Sequence, residues 1–322
     1  MTYAPVRIPQ FESDARDFPR TWLSALLAVS LAIAASFTYA YADDASTHDI
    51  EIPAGMTAGY MLFDRESGAV TTQLNQGKQF RSASLVKLLI ALDYLNTRGS
   101  LDQVPDADLA ALQSMLRSSD DVAARNFWQS AGRTAVIDRM VAELDLKHTQ
   151  PPIDPNFWGY TALSASDVVK IYQYLLEDDE QGFGEFILDN LHQSTRCALD
   201  GRDQYFGIPR AVEGPFAVKQ GWSGFGETPL GQECSPVEAV QKAATGLEAS
   251  TGADLDGIQT KAEPAIDLES PLLHTSGLID NDSKILVVLT LYPANTAWED
   301  AAAQITDLTA GIYSSAEESS QV

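Results

Sequence analysis

The hydrophobic pattern changes period along this chain, and the changes divide it. Residues 1–20 are polar, with Arg7, Arg16 and Arg20 set against Glu12, Asp14 and Asp17. From Trp22 to Ala42 there is no charged residue at all. A run of that length matches the roughly 20 residues needed to cross a bilayer. Arg20 before it and Asp43-Asp44 after it predict the N-terminus inside and the remainder outside. The run ends Ala40-Tyr41-Ala42, which also suits signal-peptidase cleavage. Residues 21–42 therefore read either as an uncleaved anchor or as a cleaved signal, and both export the rest of the chain. Residues 43–56 read as a polar connector.

Beyond the connector, period-two patterns predict strands at 59–63 and 69–74, with Asp64-Arg65-Glu66-Ser67-Gly68 as a hairpin turn. An apolar helical run begins at Ser84 and stops near Gly99. Apolar residues at helical spacing then predict helices over 106–117, 122–131, 134–144, 165–176 and 185–192. Strand patterns return at 216–220, 272–278 and 284–291, with Asp280-Asn281-Asp282-Ser283 as a turn. A helix from about 296 to 313 and a polar tail close the chain. The pattern predicts an α+β fold: an antiparallel sheet built from both ends of the sequence and flanked by helices, plus an all-helical lobe at about 100–210. One domain is expected over 57–315. The acidic, Gly- and Ala-rich segment at about 226–269 reads as an insertion, with a helix near 237–247.

Composition narrows the function. The chain has 322 residues, 45% hydrophobic and 20% charged, which is ordinary for a globular protein with a substantial core. A net charge of −24 argues against nucleic acid as a partner and against charge-driven binding to an anionic membrane face. Contact with a membrane is expected only through the N-terminal segment. The two cysteines, Cys197 and Cys234, are too few for a disulfide scaffold and wrongly spaced for a zinc knuckle. In an exported protein they are candidates for one bridge. The four histidines include no H-E-x-x-H pair, and neither a metal nor a cofactor is expected.

The chemistry is read from Ser84-Leu85-Val86-Lys87. Residues three apart share a helix face, so a hydroxyl and an amine would stand together at a helix N-terminus. Serine needs an adjacent base to act as a nucleophile, and a buried lysine can lose its proton near neutral pH. Two further polar clusters occur downstream, Ser119-Asp120-Asp121 at the head of a helix and Lys219-Gln220-Gly221 at the end of a strand. The near miss Gly221-Trp222-Ser223-Gly224-Phe225 leads into coil, not a helix, and is rejected as a nucleophile elbow. Taken singly, Ser119 and Asp121 read as helix caps and Lys219 as a solvated strand residue.

Taken in order, the three clusters resemble the S-x-x-K, S-D-N and K-T-G elements of class A β-lactamases and penicillin-binding proteins. The resemblance covers roughly residues 50–315. It implies acyl transfer through an acyl-serine on a small-molecule or peptide amide, either a β-lactam or a peptidoglycan stem peptide. It implies Ser84 as nucleophile and Lys87 as base or proton relay. Ser119 would pass a proton to the leaving nitrogen, and Lys219 would hold Ser119 and attract a substrate carboxylate. The amides of Ser84 and of Ser223, just after Gly221, would form the oxyanion hole, with Gly221 letting substrate backbone come close.

Three positions depart from the pattern. Asp121 stands where the family has asparagine, and a carboxylate facing Lys87 is expected to raise the lysine pKa and oppose a base role. Gln220 replaces threonine among the residues expected to meet substrate. In the loop after the helical block only Asp154-Pro155 echoes the family's Glu-Pro, and its side chain is shorter, so efficient β-lactam hydrolysis is not expected. The rival readings are a non-catalytic cell-surface protein that binds through the same cleft, and an amidase of the serine-dependent glutaminase type.

Overall fold

The sheet that organises the molecule joins the two ends of the domain. In a computed structural model that describes residues 50–177, 180–229, 233–234 and 266–319, β1 (Thr57–Asp64) pairs antiparallel with β2 (Ala69–Leu74) on one side. On its other side β1 pairs with β7 (Lys284–Leu291), which lies more than two hundred residues later, with Thr57 opposite Leu291. Strands β6 (Leu272–Ile279) and β5 (Ala217–Ser223) complete a five-stranded sheet in the order β2-β1-β7-β6-β5, all antiparallel. A second, two-stranded sheet pairs β3 (Phe80–Arg81) with β4 (Ala162–Leu163).

The pleat sends alternate residues to two cores. Met61 and Phe63 of β1 join Ile285, Val287 and Leu289 of β7 on the face covered by the helical lobe. Tyr60 and Leu62 join Leu286 and Val288 on the other face, beneath α8 (Trp298–Ser319) and the short α7 (Ile208–Ala211). Burial on both faces explains why β7 reads as the unbroken run Ile-Leu-Val-Val-Leu-Thr-Leu.

The lobe consists of α1 (Lys87–Asn96), α2 (Asp106–Arg117), α3 (Asp121–Ser130), α4 (Ala135–Leu144), α5 (Ala165–Leu175) and α6 (Phe183–His192). Helix α1 is buried from Lys87 through Leu95 and forms the axis of the lobe, as a helix apolar on all sides must.

Among the described residues no helix is long and apolar enough to cross a membrane. The apolar run at 21–42 and most of the expected insertion, with its helix near 237–247, lie outside the described residues.

Candidate active site

The chain reaches the site through a constrained turn. After β3, the Ser82 amide donates to the Thr161 carbonyl at 2.8 Å. Ala83 then takes a positive φ of 43°, a left-handed conformation that costs a non-glycine residue about 1–3 kcal/mol. The next turn, Ala83–Val86, is 3₁₀ rather than α. With three residues per turn, it eclipses positions i and i+3 and puts Ser84 and Lys87 in one line. Ser84 is only 6% exposed, yet it lines a cleft of about 180 Å³. Among the described residues its hydroxyl has no hydrogen-bond partner, and its amide donates to no backbone carbonyl.

Lys87 is fully buried. Its Nζ donates to the Ser119 carbonyl at 2.8 Å, to Ser119 Oγ at 3.0 Å and to Asp121 Oδ1 at 2.6 Å, so all three protons have acceptors. The face of Trp158 lies 4.9 Å from the same nitrogen. Lys219 is 1% exposed, and its Nζ donates to Ser119 Oγ at 3.1 Å and to the Gln220 carbonyl at 3.1 Å. Ser119 is therefore the node of the site, because its oxygen accepts from both lysines. Two ammonium donors occupy both of its lone pairs, which leaves its own O–H to point elsewhere.

Ser119 is held there by its own backbone, with φ at +57°. Helix α3 is capped not by Ser119 or Asp121 but by Asp120, whose Oδ1 accepts from the Val122 and Ala123 amides at 2.8 and 3.0 Å. The capping role expected of Ser119 and Asp121 thus falls to the residue between them, and its two neighbours face the cleft.

Burial drives the Lys87 pKa below the usual lysine range, against the opposing pull of Asp121. Asp121 pulls the lysine pKa up, as expected of a carboxylate facing it, but desolvation is the larger effect. Lys219 is pushed down further, first by burial and then by the charge of Lys87. Two ammonium groups on one hydroxyl disfavour the doubly charged state.

Gly221 lets β5 press against the Ser84 turn. A Cβ at this position would lie 3.2 Å from the Ser82 carbonyl oxygen and 3.4 Å from the Ser84 nitrogen. Ser223, at the end of the strand, lines the cleft. Gln220 does not. Its side chain is buried on the opposite side of β5 from the cleft, and its Nε2 donates to the carbonyls of Gln204 and Phe206 at 3.1 and 2.6 Å. The expected contact between Gln220 and substrate is corrected by strand alternation. Asp154 is also elsewhere. Its exposed carboxylate accepts from the Asn156 amide at 2.9 Å in a local turn, and it is absent from the cleft lining.

Sequence reasoning did not single out Trp158, Tyr160, Asp200 or Trp222, which also line the cleft. Asp200 arrives on the loop before β5, and its Oδ2 accepts from the indole of Trp222 at 2.8 Å. No motif marks it. Its position is set by how that loop folds back, tied by the Cys197–Cys234 disulfide.

His274, opposite Gly221 in the β5–β6 register, supports the turn from behind. It is fully buried, its Nε2 lies 2.9 Å from the Arg81 carbonyl, and its Nδ1 lies 2.8 Å from the Leu273 carbonyl and 3.2 Å from the Thr290 amide. Burial lowers its pKa to about 4, with the Arg81 charge adding to the effect and the Arg81 and Leu273 carbonyls opposing it.

No protein-family model matches the chain. Over 178 residues it is 38% identical to "Putative lipoprotein LppW" of Mycobacterium tuberculosis and Mycobacterium bovis, a match covering 52% of this chain and 54% of that protein. The chain thus spans about half the length of the curated relatives it matches. Among solved structures, PBP-A superposes with a TM-score of 0.54 at 15% identity, covering 84% of this chain and 93% of that one. A class A β-lactamase from Mycobacterium abscessus gives 0.55 at 16% identity, covering 81% and 94%. A PBP-A mutant solved as an acyl-enzyme complex with penicillin G gives 0.51 at 14% identity, covering 83% and 92%. At these identities the likeness is one of fold: the chain has the α+β fold of class A β-lactamases and PBP-A.

Proposed function

We propose that this protein is an exported serine acyltransferase or hydrolase that opens an amide, in a β-lactam or a peptidoglycan peptide, through an ester on Ser84. The observation that carries the reading is the Ser119 hydroxyl shared by two buried lysines beside an unpartnered serine in one cleft.

The Lys87 amine, formed when one of its three protons is given up, takes the Ser84 proton as Oγ attacks the carbonyl carbon. The oxyanion is received by the Ser84 amide and by an amide at the end of β5, which we assign to Ser223. As the C–N bond breaks, the free O–H of Ser119 protonates the leaving nitrogen, and the lysines resupply Ser119. The serine proton thus ends on the amine, and the acyl group on Ser84. With Asp154 turned away, no carboxylate from that loop positions a hydrolytic water, so the ester is long-lived.

Export is supported by the apolar 21–42 run, by the disulfide, which fits an oxidising compartment, and by the lipoprotein name of the relatives.

A fluorescent penicillin should label the full chain covalently and release slowly, and Ser84→Ala should abolish labelling. Absence of labelling in folded protein at high probe concentration would favour the second reading, a binding protein. That reading is motivated by the full set of acceptors Lys87 already holds.

A further inference from the structure

We infer that this cleft selects acyl donors that carry a primary ammonium near the scissile bond, with Asp200 as the specificity-determining residue. The inference rests on the cleft being the acyl-transfer site proposed above.

The charges at the mouth are both negative. Among the described residues lining the cleft, only Asp121 and Asp200 carry formal charge. The two lysines lie beneath it, buried and committed to Ser119, Asp121 and the strand backbone. Asp121 is 60% exposed and already spends one oxygen on Lys87. Asp200 is exposed, and among the described residues it forms no salt bridge. Its Oδ2 takes the Trp222 N–H at 2.8 Å and its Oδ1 takes the Arg202 amide at 3.0 Å. Two neutral donors therefore fix the carboxylate in direction without cancelling its charge.

The remaining walls of the mouth are aromatic: Trp158, Tyr160 and Trp222. Ring faces attract ammonium groups, and Trp158 already presents its face to Lys87. An independent sign that this space holds a ligand is Ser84, whose nearly buried hydroxyl faces the cleft without a partner. An anionic group entering here meets two carboxylates before it nears either lysine, while a cation meets them favourably. The overall charge of −24 biases approach in the same sense at low salt.

The test uses the full chain in detergent and three Nα-acetyl-lysyl-D-alanyl thioesters with one neutral thiol leaving group. The lysine side chain is free, acetylated or succinylated, and thiol release gives kcat/KM. The free amine should react about tenfold faster than the acetylated form, the size an exposed ion pair and a cation–π contact reach together. The succinylated form should be slowest. The preference should shrink as salt is raised and fall below about twofold in Asp200→Asn. Equal rates for the free and acetylated forms, or fastest reaction of the succinylated one, overturns the inference.

If none of the thioesters acylates the protein, the acyl-transfer reading fails, and the corresponding carboxamides are titrated calorimetrically. Tighter binding of the free amine, lost in Asp200→Asn, upholds the cation preference without catalysis. Equal binding of the three carboxamides, or none, overturns it. The salt dependence is read on the unmodified protein and does not rely on the variant folding.

Discussion

His274 makes the stability of the site depend on acid in a way that can be calculated. Its ring is sealed between the sheet and the turn before Ser84, with Phe80 edge-on at 6.0 Å. The unfolded chain protonates it near 6.5 and the folded chain only near 4. The folded pKa is the lower one, so between these values the unfolded state binds one proton more. Stability is then fully present above about pH 6.5 and is lost as pH falls toward 4. At 1.36 kcal/mol per unit the loss is about 3 kcal/mol.

The assay is urea unfolding monitored by tryptophan fluorescence from pH 7.5 to 4, for the native protein and His274→Gln. Glutamine keeps one acceptor and one donor but does not titrate. The variant should be less stable by about 1–2 kcal/mol at neutral pH, and the gap should close or reverse by pH 4.5. Parallel curves would refute the reasoning. So would an imidazole NMR midpoint at or above 6.5, which would mean that the Arg81 and Leu273 carbonyls hold the ring charged in spite of burial.

Two further outcomes are expected at the site. Asp121→Asn removes the carboxylate that opposes burial at Lys87, so the acidic, rising limb of the acylation pH profile should move to lower pH. An unchanged profile of penicillin labelling rate against pH would show that Asp121 does not govern Lys87. Cys197→Ser with Cys234→Ser opens a loop closed over a sequence separation of 37, for an expected loss of about 3 kcal/mol and a Tm lower by roughly 10 °C. Labelling should slow with it, since Asp200, Lys219 and Trp222 all lie within that loop; an unshifted Tm would sink the structural role.

The elements whose burial is periodic were legible from the sequence. The strand patterns near 59–63 and 284–291 and the helices of the lobe needed only alternation or a 3.6-residue repeat, because one face or both meet a core. Elements held by single tertiary contacts were not. The two-residue strands β3 and β4 and the short α7 have no room for a period.

The site divides in the same way. Residue types at motif spacing brought Ser84, Lys87, Ser119 and Lys219 into view. The side Gln220 faces depends on strand phase, and the arrival of Asp200 depends on a loop path that no local pattern encodes. The pull of Asp121 on Lys87 is visible in the sequence, whereas the depth at which the lysine is buried is not.

The pairing of Thr57 with Leu291 sets a timetable for biosynthesis. The first strand leaves the ribosome, and on the export reading crosses the membrane, long before its neighbour exists. Until the end of the polypeptide emerges, that edge stays open and Lys219 has no sheet to stand on. Contacts so distant in sequence form slowly, so premature termination anywhere before β7 should yield a chain with no reactive serine, however complete its helices.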